Sequence, residues 1–323
     1  MENTRDITKK CTQEDKVPLV SIVLALYNPN LKWLEEQLIS INRQTYTNIE
    51  LFVMDDCSDS VSTEGMKDLV CKCVNRFEFE FFTKEKNEGS NKTFERLTEL
   101  ANGEYIAYCD QDDIWDDIKI EKLINIIKHE NSILAYSDMR IIDTQSKIYS
   151  KSLKEIRPRL EYLRGENILN KLIYANCIAG CSMIVKAEIA KKAIPFNEKT
   201  VCDHWIAIFA ASEGHISFID EQLVSYRQHG ENQTGILDGV SDKKTYYDNR
   251  INVAVSRIEQ LKSKIDLPVS VLQFADSRKN KEIIGILKNR NLSKKDAYFD
   301  IAIMVLPEFV IKIIIDIIKW KRD

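Results

Sequence analysis

The 323-residue sequence lacks a basic excess: Lys and Arg number 46 against 50 Asp and Glu, a formal net charge of −4. Broad nucleic-acid binding needs a positive field, so that class is set aside. The opening stretch MENTRDITKKCTQEDK lacks an apolar h-region. No secretory leader is read there, and a cytoplasmic chain with its eight cysteines reduced is expected. The pairs Cys71/Cys73 and Cys177/Cys181 fit zinc spacing poorly, and several cysteines sit in apolar runs, so they read as small buried hydrophobes. Neither GxGxxG nor GxxxxGK[ST] occurs, which removes the main signals for dinucleotide and P-loop sites. Internal repeats and low-complexity tracts are missing as well.

What is present is a globular composition, 44% hydrophobic and 30% charged. PLVSIVLALY (18–27) reads as a strand buried on both faces, and LKWLEEQLISINRQ places Leu34, Leu38 and Ile41 at helical spacing. NIELFVMDD is a second strand, and a helix follows over Met66 to Val74. FEFEFF (77–82) alternates as a third strand, NKTFERLTELA is a helix closing on Asn102-Gly103, and EYIAYC is a fourth strand. IKIEKLINIIK and ILAYSD add a helix and a fifth strand. Strands alternating with helices predict an α/β fold with a mainly parallel, Rossmann-like sheet flanked by helices. KSLKEIRPRLEYLRGE reads as an exposed connection or a mobile loop, and a compact segment resumes from Leu169 to Arg227.

Ligands of open α/β sheets sit beyond the carboxyl ends of the strands. Polar clusters stand at three such ends: Tyr27 and Asn28 after the first strand, Asp55, Asp56 and Asp59 after the second, and Asp110, Asp112 and Asp113 after the fourth. Parallel connections bring the three to one edge. Tyr27 offers a face for a nucleobase and Asp56 an acceptor for a pyrimidine N3–H. Asp110 and Asp112 are hard oxygen donors suited to Mg²⁺ or Mn²⁺, which could bridge to a diphosphate. Each cluster alone has a plainer reading. Tyr27 could pack, the Asp55–Ser58 turn could cap a helix, and the third cluster could be the acidic first turn of a helix. That last reading accounts for one or two carboxylates of YIAYCDQDDIWDD, not for all five.

VSIVLALYN, QTYTNIELFVMDDCSD, NEGSNKTFERLTELANGEYIAYCDQDDIW and DHWIAIFAASEGHISFIDEQLVSYRQHGEN resemble, in this order, the inverting family 2 glycosyltransferases. DQDDIW and YRQHG point to the rhamnosyltransferase-like branch. The resemblance covers about Val17 to Gly235. It implies the GT-A fold, a nucleotide-sugar donor carrying UDP or dTDP, and Mn²⁺ or Mg²⁺ as cofactor. By motif position it implies Tyr27 and Asp56 at the nucleobase, Asp112 as principal metal ligand, Asp110 near the ribose or the metal, and Lys92 near the donor phosphates. Two positions depart from the family: LALYN lacks the Pro-Thr or Pro-Val before the aromatic residue, and VCDHW lacks the Glu before Asp203. A pyrophosphorylase would want a glycine-rich loop after the first strand, and ALYNPNLKW has no glycine. A catalytically silent nucleotide-binding protein is the other competing reading.

Sugar transfer needs a stabilised leaving group and a base for the attacking hydroxyl. Asp203 is the expected base, with a simple N-cap as its plainer role. Arg227 could pair with a phosphate, His229 could complete the metal shell, and His204 and Trp115 could face the acceptor. His204 and Trp115 could equally be structural, and His229 a surface histidine. Residues 1–16 are expected to be a flexible arm, 17–235 the transferase domain and 236–323 a C-terminal helical extension. At the end of that extension, Glu308, Lys312, Asp316 and Lys319 form one polar stripe on an otherwise apolar helix. Such a helix lies on a membrane surface, with Trp320 and the terminal Lys-Arg at the headgroups, or docks on protein, including a second copy of the chain. The expected role is bacterial cell-surface glycan synthesis at the inner face of the membrane, on a polysaccharide or lipid-linked acceptor.

Overall fold

The computed structural model describes residues 17–230 and 239–320. The expectation of a flexible arm over 1–16, and those on 231–235 and on the Trp320 side chain and terminal Lys-Arg, fall outside the described residues. The first half alternates as the sequence predicts: β1 (Val20–Leu26), α1 (Leu31–Asn42), β2 (Ile49–Asp55), α2 (Thr63–Cys73), β3 (Phe79–Thr83), α3 (Ser90–Leu100) and β4 (Tyr105–Cys109). After β5 (Ile114–Trp115) come α4 (Lys119–Glu130), β6 (Leu134–Ile142), β7 (Ile148–Ser150), α5 (Leu153–Ile156) and α6 (Leu169–Leu172). β8 (Met183–Lys186), α7 (Ala187–Lys192), α8 (Cys202–Glu213) and β9 (Ile216–Arg227) complete the sheet region. The C-terminal part is helical: α9 (Lys243–Tyr246), a π-helical turn (Tyr247–Ile251), α10 (Asn252–Lys262), α11 (Val269–Lys279), α12 (Ile283–Lys288), α13 (Lys294–Val305) and α14 (Glu308–Trp320).

The sheet runs β3-β2-β1-β4-β8-β6-β9-β5, with β7 on β6. β1 lies parallel between β2 and β4, and β2 is parallel to β3. The long β6–β9 pair is parallel too, whereas β8 joins β4 and β6 antiparallel. Most of the ladder is therefore parallel. Both faces of β1 are covered: Ile22 and Leu24 enter one apolar cluster with α1 and α4, and Val23 enters another with α3 and α8. That is why its sequence is a continuous apolar run rather than an alternation.

Three local expectations change. α3 ends at Leu100, and Gly103 is not its cap. A Cβ on Gly103 would sit 2.7 Å from the Leu19 carbonyl and the Ser21 amide, so glycine is there to let the chain pass against β1. The 151–166 segment is held in place: Leu153 is buried, Tyr162 donates to the Asp138 carboxylate, and Gly165 bridges to Ile216. The C-terminal helices are built into the body, since Ile258, Leu261, Val271 and Ala275 share the cluster that covers one sheet face. α14 buries Ile311 and Ile315 against Val240, Tyr246 and Ile251, while Phe309, Ile313 and Ile317 stay 66%, 53% and 48% exposed. Among the described residues, no helix is long and apolar enough to cross a membrane.

Candidate active site

The carboxyl ends of β1, β2 and β4 open into one cleft of about 1260 Å³. Tyr27, Asn28, Asp56, Asp110, Asp112, Asp203, His204 and His229, drawn from distant parts of the chain, all line it. The Tyr27 ring is 44% exposed there, while its backbone is clamped by Gln111. The Gln111 carboxamide accepts from the Tyr27 N–H (2.9 Å) and donates to the Tyr27 carbonyl (3.1 Å), tying the ends of β1 and β4 together. Asn28, at φ 44°, turns its carboxamide to the β2–α2 loop. Its Oδ1 accepts from the Asp59 and Ser60 amides (both 3.0 Å) and its Nδ2 donates to Asp59 (2.9 Å), which makes it a strut of that loop.

Successive residues at the end of a strand point to opposite faces, and Asp55 and Asp56 divide accordingly. Asp55 is fully buried and accepts from the Ser58 N–H (3.0 Å) and hydroxyl (2.6 Å). Asp56 faces the cleft. It accepts from Lys84 Nζ (3.0 Å), the Glu88 N–H (3.0 Å) and the Gly89 N–H (2.7 Å). Gly89 holds φ at 85°, a value that glycine adopts freely, and this aims its N–H at Asp56. Lys84 is therefore the lysine that meets the Asp56 carboxylate. The β2–β3 register places it there: Thr83 pairs with Asp55, so the next residue lies beside Asp56. Lys92 is elsewhere: it pairs with Glu95 at 2.9 Å on α3 and does not line the cleft, so it is withdrawn as a phosphate ligand.

The five carboxylates of YIAYCDQDDIWDD have separate fates. Asp110 and Asp112 face the cleft. Asp113 turns inward, where one oxygen accepts from the Arg227 N–H at 3.0 Å and the other has no partner. Burial raises its pKa, and the Asp112 charge adds to that. Asp116 approaches Arg140 at 3.6 Å, and Asp117 is exposed. Burial, then the charges of Asp113, Asp112 and Asp203, push Asp110 well above the usual carboxylate range. Its carboxylate accepts no hydrogen bond among the described residues. Asp112 meets His229 Nε2 at 2.6 Å. Hard oxygen donors that repel one another beside an imidazole are a set a divalent cation would stabilise, so these residues fit Mn²⁺ or Mg²⁺. Asp110, Asp113 and Cys181 also bring donor atoms within 4.8 Å of one another. Burial keeps the Cys181 thiol strongly protonated, which suits a hard cation poorly.

Two further expectations are corrected. Arg227 has 0% exposure. Its guanidinium donates to the carbonyls of Asp112 (2.7 Å) and Asp143 (3.0 Å), to Ser146 Oγ (3.0 Å) and to the Glu36 carboxylate (2.6 Å). It braces the acidic loop from behind and has no reach to a phosphate. Trp33 lies against it (5.1 Å) and against the His229 ring (5.0 Å), a contact that the sequence reading missed. Trp115 is 2% exposed, with Lys119 Nζ 3.1 Å from its ring centre, so it packs under the loop and offers no platform to an acceptor.

Asp203 lies in the first turn of α8, whose N-cap is Val201, so it is not the cap. Its carboxylate accepts from the Gly180 N–H (3.1 Å), Asn176 Nδ2 (3.2 Å) and the His204 N–H. Burial outweighs these bonds and raises its pKa to about 6. α8 is apolar all round and fully packed, which fixes this carboxylate rigidly. Asn91, from the first turn of α3, holds the approach to α8: it donates to the Asn197 (3.0 Å) and Thr200 (2.8 Å) carbonyls and accepts from the Cys202 N–H (3.0 Å). His204 is buried with both ring nitrogens engaged, Nε2 donating to the Leu172 carbonyl (2.6 Å) and Nδ1 accepting from Arg257 (3.3 Å). Burial, then the Arg257 charge, lowers its pKa to about 3, so it stays neutral.

Comparison with known proteins matches residues 21–191, just over half of the chain, to the model of Glycosyl transferase family 2. An uncharacterized glycosyltransferase of Methanocaldococcus jannaschii is 29% identical over 235 residues, covering 71% of this chain and 77% of that protein. One of Rickettsia typhi is 28% identical over 227 residues, covering 67% and 66%. Among solved structures, S. aureus TarS (residues 1–349) in complex with UDP-GlcNAc superposes with a TM-score of 0.58 at 18% identity, over 82% of this chain and 75% of that one. The Pyrobaculum calidifontis mannosyltransferase PcManGT, in complex with GDP-Man and Mn²⁺, gives 0.53 at 16%, over 88% and 74%. At such identities the likeness speaks for the fold, which is GT-A.

Proposed function

The chain belongs to glycosyl transferase family 2, and from that premise we propose that it moves a sugar from a nucleoside-diphosphate donor to an acceptor hydroxyl in one inverting displacement. The observation that carries this reading is the convergence of Tyr27, Asp56, Asp110, Asp112 and Asp203 on one cleft from separate strand ends and a helix. Tyr27 presents its ring to the nucleobase and Asp56 accepts from the base edge, with Lys84 and the Gly89 amide holding Asp56 in place. Asp110 and Asp112, with His229, are the residues that would hold the cation. Bound there, it supplies positive charge to the departing diphosphate. Asp203 takes the proton of the attacking hydroxyl, and a pKa near 6 makes it a stronger base than an ordinary aspartate while leaving it ionised at neutral pH. Attack from the side opposite the leaving group inverts the anomeric centre.

The proposed donor is dTDP-rhamnose or a UDP-hexose, and the proposed acceptor a polysaccharide or lipid-linked saccharide in bacterial cell-surface glycan synthesis. The UDP-GlcNAc of one structural neighbour and the GDP-Man and Mn²⁺ of another support a nucleotide-sugar donor and a divalent cation. For 299–320 we propose peripheral contact with the inner face of the membrane, through Phe309, Ile313 and Ile317 on α14. Vesicle co-sedimentation checks this against the competing occupant, a second copy of the chain. The donor reading is tested by thermal shift with UDP, dTDP and GDP sugars, with and without Mn²⁺. One of them is expected to stabilise the protein only with the cation, and Asp112→Ala to abolish the effect. Absence of any nucleotide response in the presence of Mn²⁺ would sink the reading.

A further inference from the structure

The cleft does not end at the strand edge. Its far wall is one face of the C-terminal helices, where Tyr246, Asn249, Arg250, Ala254 and Arg257 recur at helical spacing from α9 through the π turn to α10. Asp110 and Asp112 stand at the strand end, Arg250 and Arg257 on this helical wall, and α13 adds both Lys295 and Asp296 to the lining. π turns widen a helix and occur often at functional sites.

Arg257 is the informative member. Its Nε is buried and has no hydrogen-bond partner, and it forms no ion pair among the described residues. Of the nearby carboxylates, Asp300 binds Arg278 Nε at 2.6 Å, and Asp296 stands 4.0 Å from that guanidinium while its charge also reaches Arg257 without a direct contact. The contact that Arg257 does make is to the neutral ring of His204, the neighbour of Asp203. A buried guanidinium donor left unmatched is costly, and an arriving anion would match it. Ala254, one turn before Arg257, lines the cleft beside it.

We infer that Arg257, with Arg250 beside it, binds an anionic group of the acceptor, a phosphate or a carboxylate carried close to the hydroxyl that Asp203 deprotonates. His204 is then a positioning residue: held at Nε2 by the Leu172 carbonyl, it turns Nδ1 to Arg257 and orients the guanidinium. The inference rests on the transferase reading for the word acceptor, but the anion site itself does not depend on the donor.

The test is run on the full chain in EDTA without nucleotide, so that binding through a cation contributes nothing and the donor reading can fail separately. Inorganic phosphate and acetate are titrated against wild type and Arg257→Gln by thermal shift. At least one anion is expected to bind wild type, with apparent affinity falling at least tenfold in the variant; which anion binds identifies the group. Should the variant not fold, phosphate or acetate is expected to protect Arg257 of the wild-type chain from phenylglyoxal, read by peptide mass spectrometry. In transfer assays the binding anion is expected to compete with acceptor. Failure of both anions to bind, equal binding to Arg257→Gln, no protection of Arg257, or competition with donor alone would each overturn the inference.

Discussion

Asp203→Asn is the substitution from which most can be read. Asparagine keeps the shape but has one acceptor atom where aspartate has two. With its oxygen toward the Asn176 amide and the His204 N–H, its amide group faces the Gly180 N–H, donor against donor. That costs about 1–2 kcal/mol. An opposing effect is larger. The carboxyl pKa is raised from 3.8 to about 6. Each unit is about 1.4 kcal/mol, so keeping the ionised form in the folded protein costs roughly 3 kcal/mol. A raised carboxyl pKa means that the folded state holds the proton more tightly than the unfolded state. Wild-type stability from this group is therefore full below pH 3.8, declines as pH rises through 4 to 6, and is flat above. The variant lacks that decline, so at pH 7.5 it should be as stable as wild type or more so. Its transfer rate should nevertheless fall by about 10²–10⁴ in kcat, the range for loss of a positioned base, with donor affinity retained. Wild-type activity should decline below pH 6 as Asp203 protonates, and the variant's residual rate should lack that limb. Denaturant titrations at pH 5 and 7.5, with a kcat–pH profile, check both halves. A variant retaining more than a tenth of wild-type kcat, or a wild-type profile flat across pH 6, would refute the assignment of Asp203 as base.

Two other substitutions probe what holds the site. Asn91→Ala removes three hydrogen bonds that fix the approach to α8. Donor affinity should be kept while kcat falls by about tenfold or more, because a small displacement of a base is enough to slow transfer; equal kcat would show that Asn91 does not position Asp203. Arg227→Lys cannot reproduce four donations made by a planar fork. It should lower stability by about 3 kcal/mol or more, measured by chemical denaturation. Unchanged stability with a selective loss of donor affinity would restore Arg227 as a phosphate ligand.

The strand ends were legible because the signals were local. A continuous apolar run broken by Tyr27-Asn28, by Asp55-Asp56 or by Asp110–Asp113 states both the strand and where it stops, and parallel pairing of β1 with β2 and β4 aligns the three stops. What failed was the direction of single side chains beside those motifs. Arg227 stands two residues before His229, yet one turns into the body and the other to Asp112, because β9 ends at Arg227, which faces Glu36 of α1, and the chain has left the strand, and its two-residue period, by His229. Lys92 lies on α3, where it pairs with Glu95 one turn on, and Lys84, which no motif marked, meets Asp56. Trp115 follows the acidic loop in sequence but ends β5, paired with Val224, and its side chain is buried.

The acceptor side was illegible for a different reason. Its residues carry no motif: Arg250 and Arg257 look like ordinary charges on an amphipathic helix, and only the packing of α10 and α11 on the sheet shows that their face closes the cleft. Chemistry common to all donors is written at strand ends, where backbone geometry limits what can stand there. Acceptor choice is written on a helical wall, where any residue of the right length at the right turn will serve. A helix face can be rewritten without disturbing the sheet, so one donor-side architecture can be paired with many acceptors.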